Sequence, residues 1–155
     1  MKRNDNIFGK LEFDYGWFGE STIKYEDKIY DICLSVHGDE DETFQEEQYE
    51  AYTKFKEKLS DEFILEILNA VLEYYKKRRK ELGYEKEQSE DYILIETTEE
   101  LLKHLEFSGI EVLYSKDHER RIGLTFECDW DEENGVGIYF VNEEVKEIGY
   151  QDVAI

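Results

Sequence analysis

Ile122, Leu124, Phe126, Cys128 and Trp130 occupy alternate positions, separated by Gly123, Thr125, Glu127 and Asp129. A period of two over this length specifies a half-buried strand, because successive side chains of an extended chain point to opposite faces. Asn134-Gly135 then supplies the dipeptide favoured in tight hairpins, where both positions accept positive φ. Val136, Ile138 and Phe140 resume the alternation, and a second turn at Asn142–Glu144 leads into Val145 through Tyr150. Together with Ile110, Val112 and Tyr114, the C-terminal third reads as antiparallel sheet with one wet face.

The N-terminal region repeats this pattern more weakly. Gly9, Leu11, Phe13 and Tyr15 share one face of a strand, a short strand follows at Thr22–Tyr25, and Glu26-Asp27-Lys28 forms a turn. Tyr30, Ile32, Leu34 and Val36 mark a third strand. Trp17-Phe18, between Gly16 and Gly19, reads as a turn that presents aromatic side chains.

Between the strand groups the period changes to that of a helix. Thr43 and Glu46 have capping-box spacing, with Phe44, Gln48, Tyr52, Phe55 and Leu59 along one stripe. Ser60 or Asp61 caps a second helix, whose stripe is Ile64, Ile67, Leu68, Val71, Leu72 and Tyr75, and Gly83 ends it. The segment 84–91 is polar and reads as an excursion. Thr97 and Glu100 repeat the capping-box spacing ahead of Leu101, Leu102 and Leu105. The chain has no proline, so Gly, Asn, Asp, Ser and Thr supply the punctuation. The expected fold is a single α+β domain over residues 1–155. Two to three helices are inserted between N-terminal and C-terminal strand groups of an antiparallel sheet. Whether the two groups share one sheet stays open at this level.

Charge narrows the function. The formal net charge is −21, from 40 acidic and 19 basic residues. Such a field repels nucleic-acid phosphates and anionic membranes. It favours cationic partners, a basic protein among them. No apolar run has the length of a signal peptide or a membrane span. Cys33 and Cys128 fall among apolar strand residues and read as buried free thiols, not a disulfide framework. These features describe a cytoplasmic protein.

Candidate chemistry is sparse. His37, His104 and His118 are scattered, without a Cys or His at metal-ligating spacing. No glycine-rich phosphate loop occurs. No catalytic residue, cofactor or defined metal site is expected, and the chain reads as a non-enzyme. Lys76-Lys77-Arg78-Arg79-Lys80 complements the negative end of the second helix. Two acidic clusters remain, Asp39-Glu40-Asp41-Glu42 and the hairpin acids Asp129, Asp131, Glu132 and Glu133. Counted from Asp129, an EF-hand would need Gly at position 134 and Glu at position 140, where Asn134 and Phe140 stand. A different divalent-cation site at 129–133 is the alternative expectation. The favoured one is a partner-binding surface built from Trp17, Phe18, Asp129, Asp131, Glu132 and Glu133, with exposed aromatics anchoring a partner on an acidic rim.

The run Gly123 to Gly137, with its Trp-Asp-x-Glu-x-Gly core, and its sequel Val145 to Asp152 resemble a family of small acidic bacterial proteins described as a domain of unknown function. Gly16-Trp17 and the helix residues Gln48, Ala51, Tyr52 and Phe55 share that resemblance. It implies an immunity-protein-like role, the neutralising of a toxin, and it brings no catalytic residues.

Overall fold

The computed structural model of the protein describes residues 1–84 and 92–155. Residues 85–91 of the expected polar excursion lie outside them. Among the described residues, eight strands form one sheet in chain order: β1 (Lys2–Asp5), β2 (Gly9–Phe13), β3 (Trp17–Tyr25), β4 (Lys28–Val36), β5 (Leu105–Val112), β6 (Arg121–Cys128), β7 (Val136–Val141) and β8 (Glu144–Gly149). Between β4 and β5 run α1 (Glu46–Lys58), α2 (Asp61–Glu81) and the short α3 (Thr98–Leu101). A 3-10 helix, Gln151–Ala154, ends the chain.

The two strand groups therefore join. Neighbouring strands are antiparallel except β4 and β5, which pair in parallel from Cys33↔Gly109 to Val36↔Val112. The expectation of a purely antiparallel sheet is corrected at this seam. A parallel pair needs a long crossover, and the helices supply it. Ser60 accepts the Phe63 amide at 3.2 Å to start α2. Gly83, at φ +87°, lets the Gly83 and Tyr84 amides reach back to the carbonyls of Lys80 and Arg79, the two bonds of a Schellman cap. Helix α1 begins differently from expectation. The Gln48 side chain, not Glu46, accepts the Gln45 amide at 2.9 Å, and Gln48 is buried where it also donates to the His37 carbonyl.

One contiguous core lies between the helices and the inner sheet face. Phe55 of α1 meets Phe140 of β7 with ring centroids 5.0 Å apart, and Tyr75 of α2 meets Trp130 at 4.5 Å. Gly123 lies between the inward-facing Ile122 and Leu124, so it faces the opposite side, where the C-terminal 3-10 helix packs. The helices and the 3-10 helix thus cover different faces of the sheet.

Several local expectations are corrected. Trp17 and Phe18 open β3 instead of forming a turn, and Gly19 is a strand residue. A β-carbon there would stand 2.6 Å from the Lys10 carbonyl, so glycine permits β2 to cross close by. The polar β1 carries no periodic signal in the sequence. Cys33 is exposed on the outer face of β4, whereas Cys128 is buried as expected. Asn134-Gly135 is not a two-residue turn. β6 ends at Cys128, and of the pair only Gly135 has positive φ, at 59°.

Instead, the tight turns with positive φ at both positions are, among the described residues, Glu26-Asp27, joining β3 to β4, Asp117-His118, between β5 and β6, and Asn142-Glu143, joining β7 to β8. Glu143 is held there by two hydrogen bonds from Arg120, at 2.8 and 3.0 Å. Asp27, exposed at φ 66°, has no such compensation among the described residues. Asp27→Gly should raise stability by about 0.5 kcal/mol, because relief of left-handed strain outweighs glycine's entropy cost. A urea midpoint equal to or below that of the wild type would contradict it.

Candidate partner-binding surface

A groove forms where the β1–β2 hairpin meets α1. Asp5 organises the hairpin tip by accepting the Ile7 and Phe8 amides, both at 2.8 Å, and its second oxygen accepts the Tyr49 hydroxyl at 2.7 Å. Phe8 stacks on Tyr49 at 4.9 Å and meets the Phe44 ring edge-on at 5.3 Å. The tip is thereby fastened to α1, leaving Ile7 46% exposed. Ile7, Phe44 and Tyr49 border a hollow of about 590 Å³ that Glu46, Glu50 and Glu57 also line, with Thr53 and Lys54. The spacing 46, 50, 53 and 57 puts these side chains on one helix face. The exposed loop Asp39–Glu42 adjoins it through Phe44. Arg3 lies 4.2 Å from the Trp17 ring and 4.9 Å from the Phe44 ring, and donates to the Glu40 and Glu42 carbonyls. Carboxylates spaced along α1, from Glu46 in its first turn to Glu57 in its last, thus border an apolar floor.

The fastening is itself titratable. Burial alone would raise Asp5, but the Phe8 and Ile7 amides and the Tyr49 hydroxyl outweigh it and lower the carboxyl below its usual value. Tyr49 is pushed up to about 12, first by burial and then by its bond to Asp5. A phenol with a raised folded pKa stabilises the fold fully below the unfolded pKa of about 10. That contribution disappears as pH rises toward about 12. From about pH 9 to about pH 11 the wild type should therefore lose more stability than Tyr49→Phe. At neutral pH that variant should be less stable by about 1 kcal/mol, the exposed-side share of a hydrogen bond to a charged group. Identical pH profiles for the two proteins would contradict the assignment.

The residues expected to form the site are not brought together. Trp17 is fully buried, with its indole N–H donated to the Asp39 carbonyl at 3.1 Å, so it offers no surface to a partner. Phe18, next along the strand, faces the other side and is 46% exposed. The acidic hairpin lies toward the other end of the sheet, lining a cleft of about 670 Å³ with Lys28, which follows the far end of β3. Asp129 there pairs with His104 at 2.6 Å. Asp131 accepts the Asn134 amide and side-chain N–H groups and so shapes the loop. Glu132 and Glu133 are exposed. Among the described residues no three Asp, Glu, His or Cys side chains converge in a metal-ligating group.

Other candidate groups are held internally. Burial pushes the Cys128 thiol up to about 11, which opposes a nucleophilic thiolate. Arg79, from the basic run, is 2% exposed and donates to the Tyr92 carbonyl at 3.0 Å. Arg78 reaches Glu81 and the Tyr150 hydroxyl. The groove has no local signature, because Ile7 and Phe8 lie in the short turn between β1 and β2, outside any periodic stripe, and because Tyr49 sits beside the periodic stripe of α1, not in it.

No helix among the described residues is long and apolar enough to cross a membrane. Residues 7–155 match the model of the family described as a domain of unknown function, DUF6985, and the chain belongs to that family. No curated protein matches it, and neither does any solved structure.

Proposed function

We propose that this DUF6985 domain is a non-catalytic protein-binding module that docks a basic partner in the groove between the β1–β2 hairpin and α1. The observation that supports this is the apolar floor of Ile7, Phe44 and Tyr49 bordered by Glu46, Glu50 and Glu57. An apolar floor supplies affinity through burial, and surrounding carboxylates select a cationic partner and speed its approach. Within this reading the partner is a bacterial cytoplasmic toxin with a basic substrate cleft, and the domain acts as its immunity protein. The net charge of −21 supports such pairing, since it steers a basic protein toward the domain at long range. A cation site at residues 129–133 has less support, because Asp129 and Asp131 already bind His104 and Asn134.

The test is co-expression with the product of a neighbouring gene. The partner should co-purify, and growth should be protected. Glu46→Lys, Glu50→Lys and Glu57→Lys together should abolish both while leaving the fold intact. Undiminished protection by that triple variant would remove the groove from the reading, and absence of any toxic neighbour product would remove the immunity role.

A further inference from the structure

β3 is long, but β2 covers only its beginning. β2 pairs with it at Glu12↔Phe18 and Phe13↔Trp17, whereas β4 pairs with it from Trp17↔Val36 to Tyr25↔Lys28. The two-residue turn at Glu26-Asp27 makes Tyr25–Lys28 a hydrogen-bonded pair, and such pairs alternate along an antiparallel ladder. The backbone groups of Glu20, Thr22 and Lys24 consequently point away from β4, toward the edge that β2 leaves uncovered. The side chains of these three residues are exposed. Lys56 reaches this edge from α1, donating its Nζ to the Thr22 carbonyl. A hollow of about 760 Å³, lined in part by Glu20, Thr22 and Lys56, opens beside it.

We propose that this edge pairs antiparallel with the same edge of a second copy of the chain, centred on Thr22. Unpaired strand edges are templates for strand addition, and charge selects the occupant and the register. Pairing about Thr22 sets Glu20 opposite Lys24 of the second copy, twice by symmetry, and Thr22 opposite Thr22. Shifting by two residues toward the turn would set Glu20 opposite Glu26, and opposed like charges destabilise a ladder. Each copy's charge of −21 resists approach, but its field is screened within about 8 Å at physiological salt. Lys56 guards the edge, and pairing exchanges its bond to the Thr22 carbonyl for one from the opposing amide. This inference is independent of the α1 groove.

The test uses the full chain with the exposed Cys33 replaced by serine. In a hydrogen-bonded antiparallel pair opposed α-carbons lie about 5.5 Å apart, within the disulfide range. Thr22→Cys should therefore cross-link into dimers on mild oxidation much faster than Thr53→Cys, an exposed control on α1. In sedimentation equilibrium, Glu20→Lys should weaken association about tenfold by opposing lysines. Adding Lys24→Glu should restore it, and Lys56→Met should tighten it. Thr22→Cys cross-linking no faster than the control, or a double variant as weak as Glu20→Lys alone, would overturn the proposal.

Discussion

Gly123→Ala is expected to expel the C-terminal 3-10 helix from the outer sheet face at a cost of about 3 kcal/mol. A β-carbon at position 123 would lie 1.9 Å from the Ala154 carbonyl oxygen and 2.8 Å from its β-carbon. Both are backbone or near-backbone positions that no rotamer change can clear. What is lost is the anchoring of the segment. The Gln151 amide donates to Asn134 at 2.9 Å, its side chain donates to the Phe126 carbonyl at 2.7 Å, and Ala154 is fully buried. Two hydrogen bonds at about 1 kcal/mol each and the buried methyl give that sum. Urea denaturation measures the cost, and faster exchange of the Gln151 amide locates it. Deleting residues 150–155 should cost a similar amount. In the deleted chain Gly123→Ala should then be nearly neutral, because the two changes remove the same contacts. Full additivity would contradict the account.

Trp17→Ala is expected to cost about 4 kcal/mol, within the range for large aromatic truncations in a core. The ring is fully buried, meets Phe13 edge-on at 5.2 Å, supports the Arg3 guanidinium, and ties the Asp39 carbonyl to the sheet. Its loss should therefore also loosen the acidic loop 39–42. Phe18→Ala, one residue away on the outer face, should cost less than about 1 kcal/mol, as is usual for half-exposed positions. Chemical denaturation followed by circular dichroism separates the two, and equal costs would refute the assigned faces.

These two residues also show what could be read from the sequence. Alternation along Ile122–Cys128 and Tyr30–Val36 was legible because each strand has a dry inner face, and the helical stripe of α2 was legible because it packs along its length. Trp17 and Phe18 carry the signature of a turn because two glycines flank them, whereas Gly19 instead admits a crossing strand. The parallel seam between β4 and β5 has no local signature, since it is a property of the crossover between them. Pairing partners such as His104 for Asp129 are likewise tertiary. The surplus of carboxylates was plain in the composition. Their placement around Ile7 and Tyr49 depended on where the hairpin tip lands on α1.

The most direct measurement of the central claim is calorimetric titration with a synthetic amphipathic helix of leucines and lysines. The groove account predicts one saturable site, weakened by salt. It predicts a loss of at least about tenfold, or about 1.4 kcal/mol, on Ile7→Asp, and no loss on Glu132→Lys with Glu133→Lys at the distant hairpin. Several equivalent peptides bound per chain, or equal losses from both sets of substitutions, would mean that the carboxylates act as a diffuse cloud and that the groove is not a docking site.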